Sequence, residues 1–256
     1  MPEKSMIKAI ICGCNGKMGK TITNMMSKRE DCEVTGGIDR SCIPNNVFPM
    51  YESPIKVNIT PDVIIDFSNP SVLTELLEYG QKNHVPLVIC TTGFTETQFE
   101  QIKEASKFIP IFYSRNMSLG INLLIELTKK TAKILGDEFD IEIIEKHHNQ
   151  KIDAPSGTAL MMAEAVSKAM DEDMEYVYKR DTHHTVRSKN EIGIHSIRAG
   201  NMCGDHEIIF SGNDEILTLA HHAGSRDIFA RGAIKAAQFL INQDPGFYTM
   251  NDLLQF

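Results

Sequence analysis

The first 113 residues alternate short apolar segments with amphipathic helical patterns, and no other feature constrains the fold as strongly. One such helical pattern is predicted to start at Pro70, with Val72, Leu73, Leu76 and Leu77 on one face. The apolar segments show little polar alternation and lie at 7–12, 32–39, 62–68, 85–90 and 109–113. Strands that are buried on both faces and connected by helices are typical of a parallel sheet. The pattern therefore predicts an α/β fold with an N-terminal doubly wound parallel sheet of the Rossmann-like kind.

The pattern changes in the second half of the chain. A long helix is predicted over 119–135, and the segment 139–147 begins with strict alternation, as a strand with one solvated face requires. After a helix at 157–170, three short runs separated by Gly and Asn indicate antiparallel pairing. We therefore predict a second α+β domain built on a mixed or antiparallel sheet. The predicted division is 1–116 plus 229–256 for the first domain and 117–228 for the second, with the last helix packing back on the first.

Composition limits the classes of function that this chain can have. A formal net charge of -8 argues against a general binder of nucleic acid or anionic membranes, because both need a positive surface. No window approaches 18 uninterrupted apolar residues, and the start of the chain does not form a signal-peptide pattern. The six cysteines are irregularly placed, which favours reduced thiols over a disulfide framework. We therefore expect a cytoplasmic protein without a membrane or nucleic-acid partner.

A strand, a glycine loop and a helix follow one another at the start of the chain. The segment GCNGKMG places Gly13, Gly16 and Gly19 at three-residue intervals. Glycines let the backbone approach a pyrophosphate, whose charge then meets the N–H groups at the helix start. By themselves the three glycines are equally compatible with an ordinary turn. The second predicted strand ends in Asp39, 20 residues after Gly19, as expected for a carboxylate that binds the adenosine ribose. Together these features predict a dinucleotide-binding domain.

Arg40 directly follows the predicted ribose-binding carboxylate. A carboxylate alone favours NAD and repels a 2′-phosphate, whereas a neighbouring guanidinium pairs with such a phosphate. Because both groups are present, we expect NADPH, NADH or both to be accepted. The alternative is that Arg40 is an exposed surface arginine without a role in binding.

A second polar cluster, EKHHNQKIDAPSGTA, precedes the helix predicted at 157–170. Ser156 is a good helix N-cap residue, and the cluster continues with Gly157 and Thr158. Backbone N–H groups at these two positions would lie at the positive end of the helix dipole, which favours a carboxylate. Simple capping of the helix is the alternative interpretation.

The residues before that helix favour a catalytic pocket over capping alone. His147 and His148 are adjacent at a strand end and point to opposite sides, so they are not expected to bind one metal together. One of them, close to Lys151, could act as a general acid beside a fixed positive charge. Lys151 could also be an ordinary solvated surface residue. We interpret the convergence of histidines, a lysine and a helix start as catalytic.

A second group of cationic side chains follows later in the sequence, and its histidines raise the alternative of a zinc site. Six of the nine histidines occur in HH pairs, but no Cys-x-x-Cys or His-x-x-x-His unit accompanies them. Two of the cysteines, Cys12 and Cys14, belong to the glycine loop instead. We therefore predict no metal site. The cationic residues of this second group are Arg198, His221, His222 and Arg226.

These motifs resemble those of the dihydrodipicolinate reductase family of bacterial lysine and diaminopimelate synthesis. The similarity runs nearly end to end, and the stretch HH-x-x-K-x-D-x-P-S-G-T is highly specific. The segments that carry it are GCNGKMG, DFSNPSV, TTGF, RNMSLGINLL, FDIEIIEKHHNQKIDAPSGTA, EIGIHSIRAG, GDHEIIF and HHAGSRDIFARGA. The resemblance implies an NAD(P)H-dependent oxidoreductase whose substrate is a small cyclic dicarboxylate. It also implies a homotetramer that is built through the sheet of the second, substrate-binding domain.

The resemblance implies a role for each matched residue. His147 corresponds to the general acid and Lys151 to the cation that assists at the reacting ring. The implied substrate-carboxylate contacts are His148, Gly157 and Thr158. The implied coenzyme contacts are Gly13, Cys14, Asn15, Gly16, Lys17 and Met18 at the pyrophosphate, Asp39 and Arg40 at the ribose, Cys90, Thr91 and Thr92 beside the nicotinamide, and Ser114, Arg115, Asn116 and Met117 at the domain junction. The family usually has glycine at the position of Cys90, a small residue at that of Arg115 and often phenylalanine at that of Met117.

In the mechanism that the resemblance implies, hydride reaches ring C4 of dihydrodipicolinate and His147 returns a proton at C3, giving tetrahydrodipicolinate. Lys151 offsets the charge that develops. Another NAD(P)-dependent imine reductase or an amino-acid dehydrogenase is an alternative, because it would share the first domain. A redox sensor would also bind NADH, but it should carry a basic DNA-binding helix, and the sequence shows none.

Overall fold

The structure, a computed structural model, describes residues 6–42, 47–180 and 186–256. The contacts between residues divide it into two compact units. One unit runs to Leu119 and resumes at Arg226–Phe256, and the other spans Gly120–Ser225. Each unit has its own sheet and its own hydrophobic core.

The described residues form twelve strands and seven α-helices. The strands are β1 (Ile7–Cys12), β2 (Cys32–Ile38), β3 (Met50–Tyr51), β4 (Val63–Asp66), β5 (Leu87–Ile89), β6 (Pro110–Tyr113), β7 (Asp140–His147), β8 (Glu175–Val177), β9 (Glu191–Arg198), β10 (Asp205–Ser211), β11 (Ile216–His222) and β12 (Gly246–Tyr248). The helices are α1 (Lys17–Met26), α2 (Leu73–Asn83), α3 (Glu96–Ser106), α4 (Leu119–Leu135), α5 (Gly157–Met170), α6 (Asp227–Leu240) and α7 (Met250–Leu254). No helix in this part of the chain is both long and apolar enough to cross a membrane.

The first unit contains a seven-stranded sheet in the order β12-β6-β5-β4-β1-β2-β3. Every neighbouring pair of strands is parallel. The strand order runs in opposite directions on the two sides of the β1–β4 pair, so the loops after these two strands separate at a topological switch point. In open α/β sheets, ligands bind in the crevice outside the carboxyl ends of the strands at such a point. The predicted doubly wound parallel sheet is confirmed.

Both faces of this sheet are covered, which explains why its strands lack polar alternation. On one face, Ile11, Ile65 and Phe112 pack with residues of α1 and α6. On the other face, Ile10 and Ile64 pack with residues of α2 and α3. The members of each face alternate along a strand because successive side chains point to opposite sides.

Helix α6 lies in very close contact with the chain that leads into α4. A Cβ atom added to Gly232 would be 1.7 Å from the carbonyl oxygen of Met117, a distance that no side chain could accept. Ala230, Ala233 and Leu240 of the same helix are fully buried in the first unit. The small residues Ala230, Gly232 and Ala233 therefore allow the helix to pack closely against its neighbours.

The second unit contains a five-stranded sheet in the order β11-β10-β7-β9-β8. β10 pairs antiparallel with β7 and β11, whereas β9 pairs parallel with β7 and β8. Helices α4 and α5 cover one face, where Ile143 and Phe210 pack with Leu124, Met162 and Val166. The sheet is therefore mixed, and the predicted α+β character of this region is confirmed.

Candidate active site

The glycine loop between β1 and α1 has a conformation that only glycine satisfies. Gly13 has a φ of 79°, and a Cβ atom on it would be 2.5 Å from the carbonyl oxygen of Phe67. A Cβ atom on Gly19 would be 2.3 Å from the carbonyl oxygen of Gly13. Gly16 is the N-cap of α1 and makes no side-chain capping bond. The backbone at the helix start is therefore shaped to approach an anion.

A cavity of about 260 Å³ lies at the carboxyl ends of β1 and β4, next to this loop. Its lining includes Gly13 and Gly16 from the loop, Asp39 and Arg40 from the end of β2, and Ser68 from the loop after β4. A glycine cradle and an uncapped helix start offer backbone donors to a pyrophosphate, and a carboxylate at the second strand offers an acceptor to a ribose hydroxyl, as a dinucleotide requires. The residues present therefore fit a nicotinamide dinucleotide.

Asp39 is held in place by the backbone of its own neighbourhood. Its carboxylate accepts hydrogen bonds from the N–H groups of Asn15 and Ser41, both at 3.1 Å, and from the Ser41 hydroxyl at 2.7 Å. Burial raises the pKa of Asp39, but these hydrogen bonds outweigh it and hold the pKa below its usual value. The group is therefore ionised and fixed in orientation, while Arg40 beside it is exposed.

The other predicted residues of the loop differ in how they could contact a coenzyme. The thiol of Cys14 is buried, 3.6 Å from the carbonyl oxygen of Ile38 and 3.7 Å from the sulfur of Met50. Cys14 can therefore reach a ligand through its backbone and not through its thiol. Lys17 is exposed, whereas Met18 is half-buried and packs on the core of the first unit.

A buried carboxyl group connects the loops that follow β4 and β5. Asp66 is only 3% exposed and accepts hydrogen bonds from the Ser68 hydroxyl at 2.5 Å and the Ser68 N–H at 3.1 Å. The same N–H lies 2.9 Å from the hydroxyl oxygen of Thr91, which is also buried. Thr92 is exposed at the start of the next loop. Burial raises the pKa of the Cys90 thiol well above its usual value, so this thiol is a neutral part of the core at physiological pH.

The residues at 114–117 form a tight, internally bonded turn. The Ser114 hydroxyl donates to the carbonyl oxygen of Asn116 at 2.7 Å, and the Asn116 side-chain oxygen accepts from the Ser118 N–H at 2.9 Å. Arg115 is exposed. Met117 is 2% exposed and packs in the core of the first unit. Of the departures from the family pattern, Cys90 and Met117 therefore face the interior and Arg115 faces solvent.

In the second unit, Glu145 is the centre of a buried polar cluster. Its side chain is fully buried, and its carboxylate accepts four hydrogen bonds. Arg198 donates two of them, at 2.6 and 2.8 Å, the Ser156 N–H donates a third at 3.1 Å, and His147 Nδ1 lies 2.6 Å away. Burial raises the pKa of Glu145, but the hydrogen bonds from His147 and Arg198 outweigh it and hold the pKa well below its usual range. The carboxylate is therefore ionised.

The alternation of β7 explains this placement. Ile141, Ile143, Glu145 and His147 alternate along the strand and share the face that α5 covers. The first two join the hydrophobic core, and the last two bring a carboxylate and an imidazole to the carboxyl end of the strand. Arg198 reaches Glu145 because it lies opposite His147 in the parallel β7–β9 pair.

The outer nitrogen of His147 lies against Gly204. A Cβ atom on Gly204 would be 2.9 Å from Nε2 of His147. Because the ionised carboxylate of Glu145 can only accept, Nδ1 of His147 carries the hydrogen that is shared with it. Nε2 is then the nitrogen through which the ring can exchange a proton with a ligand.

A second histidine supports this arrangement from β10. The rings of His147 and His206 contact each other edge to face, with centroids 5.2 Å apart. His206 Nε2 lies 2.9 Å from the hydroxyl of Ser156. Burial, assisted by the charge of His147, lowers the pKa of His206 to about 4, so His206 is neutral at physiological pH.

Ser156 connects this cluster to the start of α5. It is the N-cap of the helix, and its hydroxyl accepts the Ala159 N–H at 3.2 Å. Gly157 is exposed, and a Cβ atom on it would meet nothing within 4 Å. Thr158 and His148 are half-buried. The positive end of the α5 dipole therefore borders open space large enough for an added group.

Lys151 is paired with Asp153 in the loop between β7 and α5. Its ammonium group lies 2.8 Å from both carboxylate oxygens of Asp153. The carbonyl oxygen of Asp153 accepts a hydrogen bond from Arg198 at 2.7 Å. The structure thus connects the loop that carries Lys151 to the same arginine that holds Glu145.

Two members of this cluster, Glu145 and His206, were missed by the sequence analysis. The alternation of DIEIIEKH already places Glu145 on the same side of the strand as His147. In DHEIIFS, the alternation places His206 on the same side as the buried Ile208 and Phe210. Of the predicted second cationic group, Arg198 joins the cluster, while His222 is 3.3 Å from the Asp205 carboxylate. Among the described residues, no group of three or more His, Cys, Asp or Glu side chains is placed to hold a metal ion.

Comparison with known families identifies this arrangement. The pattern described as "Dihydrodipicolinate reductase, N-terminus" matches residues 7–117, and that described as "Dihydrodipicolinate reductase, C-terminus" matches residues 120–254. The chain belongs to the dihydrodipicolinate reductase family. The 4-hydroxy-tetrahydrodipicolinate reductases of Caldanaerobacter subterraneus subsp. tengcongensis and Clostridium tetani are 50% and 46% identical to it. These alignments cover 98% of this chain and 99% of the first relative, and 97% of both chains for the second.

A solved member of the family has the same fold. The dipicolinate-bound dihydrodipicolinate reductase from Paenisporosarcina sp. TG-14 aligns with a TM-score of 0.79 and 26% sequence identity, over 96% of this chain and 98% of that one. The predicted family is confirmed. As a dihydrodipicolinate reductase family member, the chain is an oxidoreductase that uses NADH or NADPH, which confirms the predicted class of enzyme and coenzyme.

Proposed function

We propose that the chain catalyses the 4-hydroxy-tetrahydrodipicolinate reductase reaction of lysine and diaminopimelate synthesis. Its substrate in this proposal is a small cyclic dicarboxylate with a conjugated imine. The observation that carries the proposal is the ionised, fully buried Glu145, which holds His147 beside the start of α5. An imidazole donor beside a helix N-terminus is what protonation of a bound dicarboxylate requires. The names of the relatives support the same activity.

The coenzyme is proposed to bind along the glycine loop of the first unit. Gly13 to Met18 would contact the pyrophosphate through the backbone and the helix start, and Asp39 with Arg40 would contact the adenosine ribose. Cys90, Thr91 and Thr92 would border the nicotinamide, as would the turn of Ser114 to Met117. When bound, the nicotinamide supplies the hydride. Asp66 holds Ser68, and Ser68 in turn contacts Thr91, so the two loops keep a fixed spacing.

The chain's own contribution to the chemistry is proposed to be a proton and a charged binding surface. His147 gives a proton from Nε2 to the ring carbon, while Glu145 stabilises the cationic imidazolium before transfer and keeps the ring oriented. Lys151 offsets negative charge on the substrate and is held ready by Asp153. His148 and the backbone of Gly157 and Thr158 bind a substrate carboxylate at the helix N-terminus.

The proposal includes a homotetramer in the cytoplasm, assembled through the uncovered face of the second sheet. Ile216 and Ile197 lie on the face opposite α4 and α5 and are 68% and 42% exposed. Ile144 and Ile209 are half-buried on the same face. Apolar side chains on an uncovered sheet face support burial against another copy of the chain. Light scattering at several protein concentrations measures the mass, and a monomer at all of them contradicts the tetramer.

The activity is tested by supplying the purified chain with the dihydrodipicolinate precursor, generated in the same vessel by the aldolase that precedes it. Loss of NADH or NADPH absorbance should require both the aldolase and this chain, and mass spectrometry should detect tetrahydrodipicolinate. Dipicolinate should inhibit in competition with the substrate. A panel of 2-oxo acids with ammonia tests the amino-acid dehydrogenase alternative. The proposal would be refuted if the chain reduced one of these 2-oxo acids and did not reduce the cyclic substrate.

A further inference from the structure

A second carboxylate stands beside Asp39 at the end of the neighbouring strand. In the parallel β2–β3 pair, Gly37 lies opposite Met50 and Ile38 lies opposite Tyr51. The Asp39 N–H then donates to the carbonyl oxygen of Tyr51 at 3.0 Å, which continues the pairing by one residue. The next residue in this register is Glu52. Asp39 and Glu52 therefore lie next to each other, directly after the paired ends of β2 and β3.

Both carboxylates border the same cavity. Asp39, Arg40 and Glu52 are the charged residues that line it, among those that the structure describes. The segment 43–46, between the two strands, has the sequence IPNN and adds no charged side chain. Among these lining residues, two negative charges thus face one positive charge at the place where the adenosine ribose is proposed to bind.

We propose that Glu52 is a specificity-determining residue that makes NADH the preferred coenzyme. The inference rests on the proposed binding of the dinucleotide in this cavity and extends it to the 2′ position of the ribose. A 2′-phosphate carries about -1.5 to -2 charges at neutral pH, as phosphate monoesters do. Two carboxylates repel it, whereas a 2′-hydroxyl can donate a hydrogen bond to either of them. Among the described residues that line the cavity, Arg40 is the one cation, and it offsets one of the two negative charges.

Lys56 moderates the effect of Glu52. It forms an ion pair with Glu52 across one turn, and the two side chains are 60% and 56% exposed. A partner of this kind reduces the field of the carboxylate without removing it, and the exposure of both groups makes the pair sensitive to salt. Removal of Lys56 should therefore act on coenzyme choice in the direction opposite to removal of Glu52.

The test compares the ratio of kcat/KM for NADPH to kcat/KM for NADH in three variants at low ionic strength. Glu52→Gln should raise this ratio roughly fivefold, since it removes one unit charge from the edge of a solvated pocket. Lys56→Gln should lower the ratio. Glu100→Gln is the matched control, because Glu100 also pairs with an exposed lysine, Lys103, at 2.8 Å and does not line the cavity. Its ratio should stay within about twofold of the parent.

Calorimetry on the same proteins measures the binding of NADH and NADPH directly, and it separates this inference from the proposed function. Opposite shifts in Glu52→Gln and Lys56→Gln, in binding and in kcat/KM, support the inference. An unchanged ratio in Glu52→Gln overturns it, as does an equal shift in Glu100→Gln. If the parent protein binds neither coenzyme, the proposed dinucleotide site itself fails, and this outcome is visible without any substrate.

Discussion

Glu145 and His147 lie two residues apart on the same face of β7, with Oε2 of the carboxylate 2.6 Å from Nδ1 of the imidazole. The carboxylate is fully buried and ionised, and it has three further donors from Arg198 and Ser156. A carboxylate fixed in this way determines which ring nitrogen faces outward. We expect the orientation of His147 to depend on it.

Replacement of Glu145 by Gln should lower kcat roughly 100-fold, the range typical for loss of a group that orients a reactive imidazole. It should also lower the free energy of unfolding by about 3 kcal/mol, because Arg198 loses its ionic partner in a buried site. The double variant Glu145→Gln, Arg198→Gln separates these effects. It should recover most of the stability, measured by chemical denaturation, without recovering kcat. Recovery of kcat together with stability would show that Glu145 acts through the fold alone.

Replacement of His147 by Gln should lower kcat by a factor of about 100 to 1,000, since it removes the proposed proton donor. The KM for the coenzyme should change far less, because the coenzyme is proposed to bind in the first unit. Lys151→Ala should lower kcat and substrate affinity together. Lys168→Ala, at the other end of α5, is the control and should have neither effect. Near-normal kcat in His147→Gln removes this residue from its proposed role.

Replacement of Gly204 by Ala should lower kcat about tenfold or more, because the new Cβ would be 2.9 Å from Nε2 of His147 and must displace the ring. Stability should fall as well, since the φ of Gly204 is 155°. Gly200→Ala is the comparison: Gly200 has a φ of 52°, but a Cβ on it meets nothing within 4 Å. Steady-state kinetics should show a loss specific to position 204. Equal losses in both variants would mean that backbone strain, and not the ring, is responsible.

The stability of the protein should fall as the pH is lowered from about 6.5 to about 4, in part because of His206. The pKa of His206 is lowered to about 4 in the folded protein, whereas an unfolded histidine binds its proton near pH 6.5. Between these values the unfolded state holds more protons, so acidification favours unfolding, by up to roughly 3 kcal/mol for this group. His206→Gln should flatten the dependence of Tm on pH in that window. His84→Asn, which alters an exposed histidine, should leave the slope unchanged.

The sequence predicted the elements that depend on burial, because hydrophobic periodicity records which faces are covered. The segment 7–12, the helix 119–135 and the helix 157–170 were predicted at the bounds that the structure shows. The strands β3, β8 and β12 were missed, since two or three residues are too short to display a period. Pro70 was expected to start α2, but Pro70–Val72 forms a 3-10 turn, and the helix begins at Leu73.

The site was predictable where a local pattern carries it and less so where strands from distant parts of the chain meet. His147 and Gly157, the first residue of α5, are ten residues apart in the sequence, and a single motif contains both. Glu145 could have been found from the same strand. Local alternation places His206 on the buried face of β10. Its contact with His147, and the position of Glu52 beside Asp39, depend on pairing between strands whose register no local window reveals. These two relationships follow from the structure alone.

The chain returns to the first unit after the second, and this has a consequence for how the first unit folds during synthesis. Helix α6 supplies Ala230, Ala233 and Leu240 to a core whose other members, such as Ile11 and Phe112, are synthesised before the whole of the second unit. While a ribosome is still translating residues 120–225, α6 is not yet available to cover that apolar surface. The unit whose synthesis begins first thus gains α6 only after the second unit has been made, and the apolar face of its sheet stays partly uncovered during that interval.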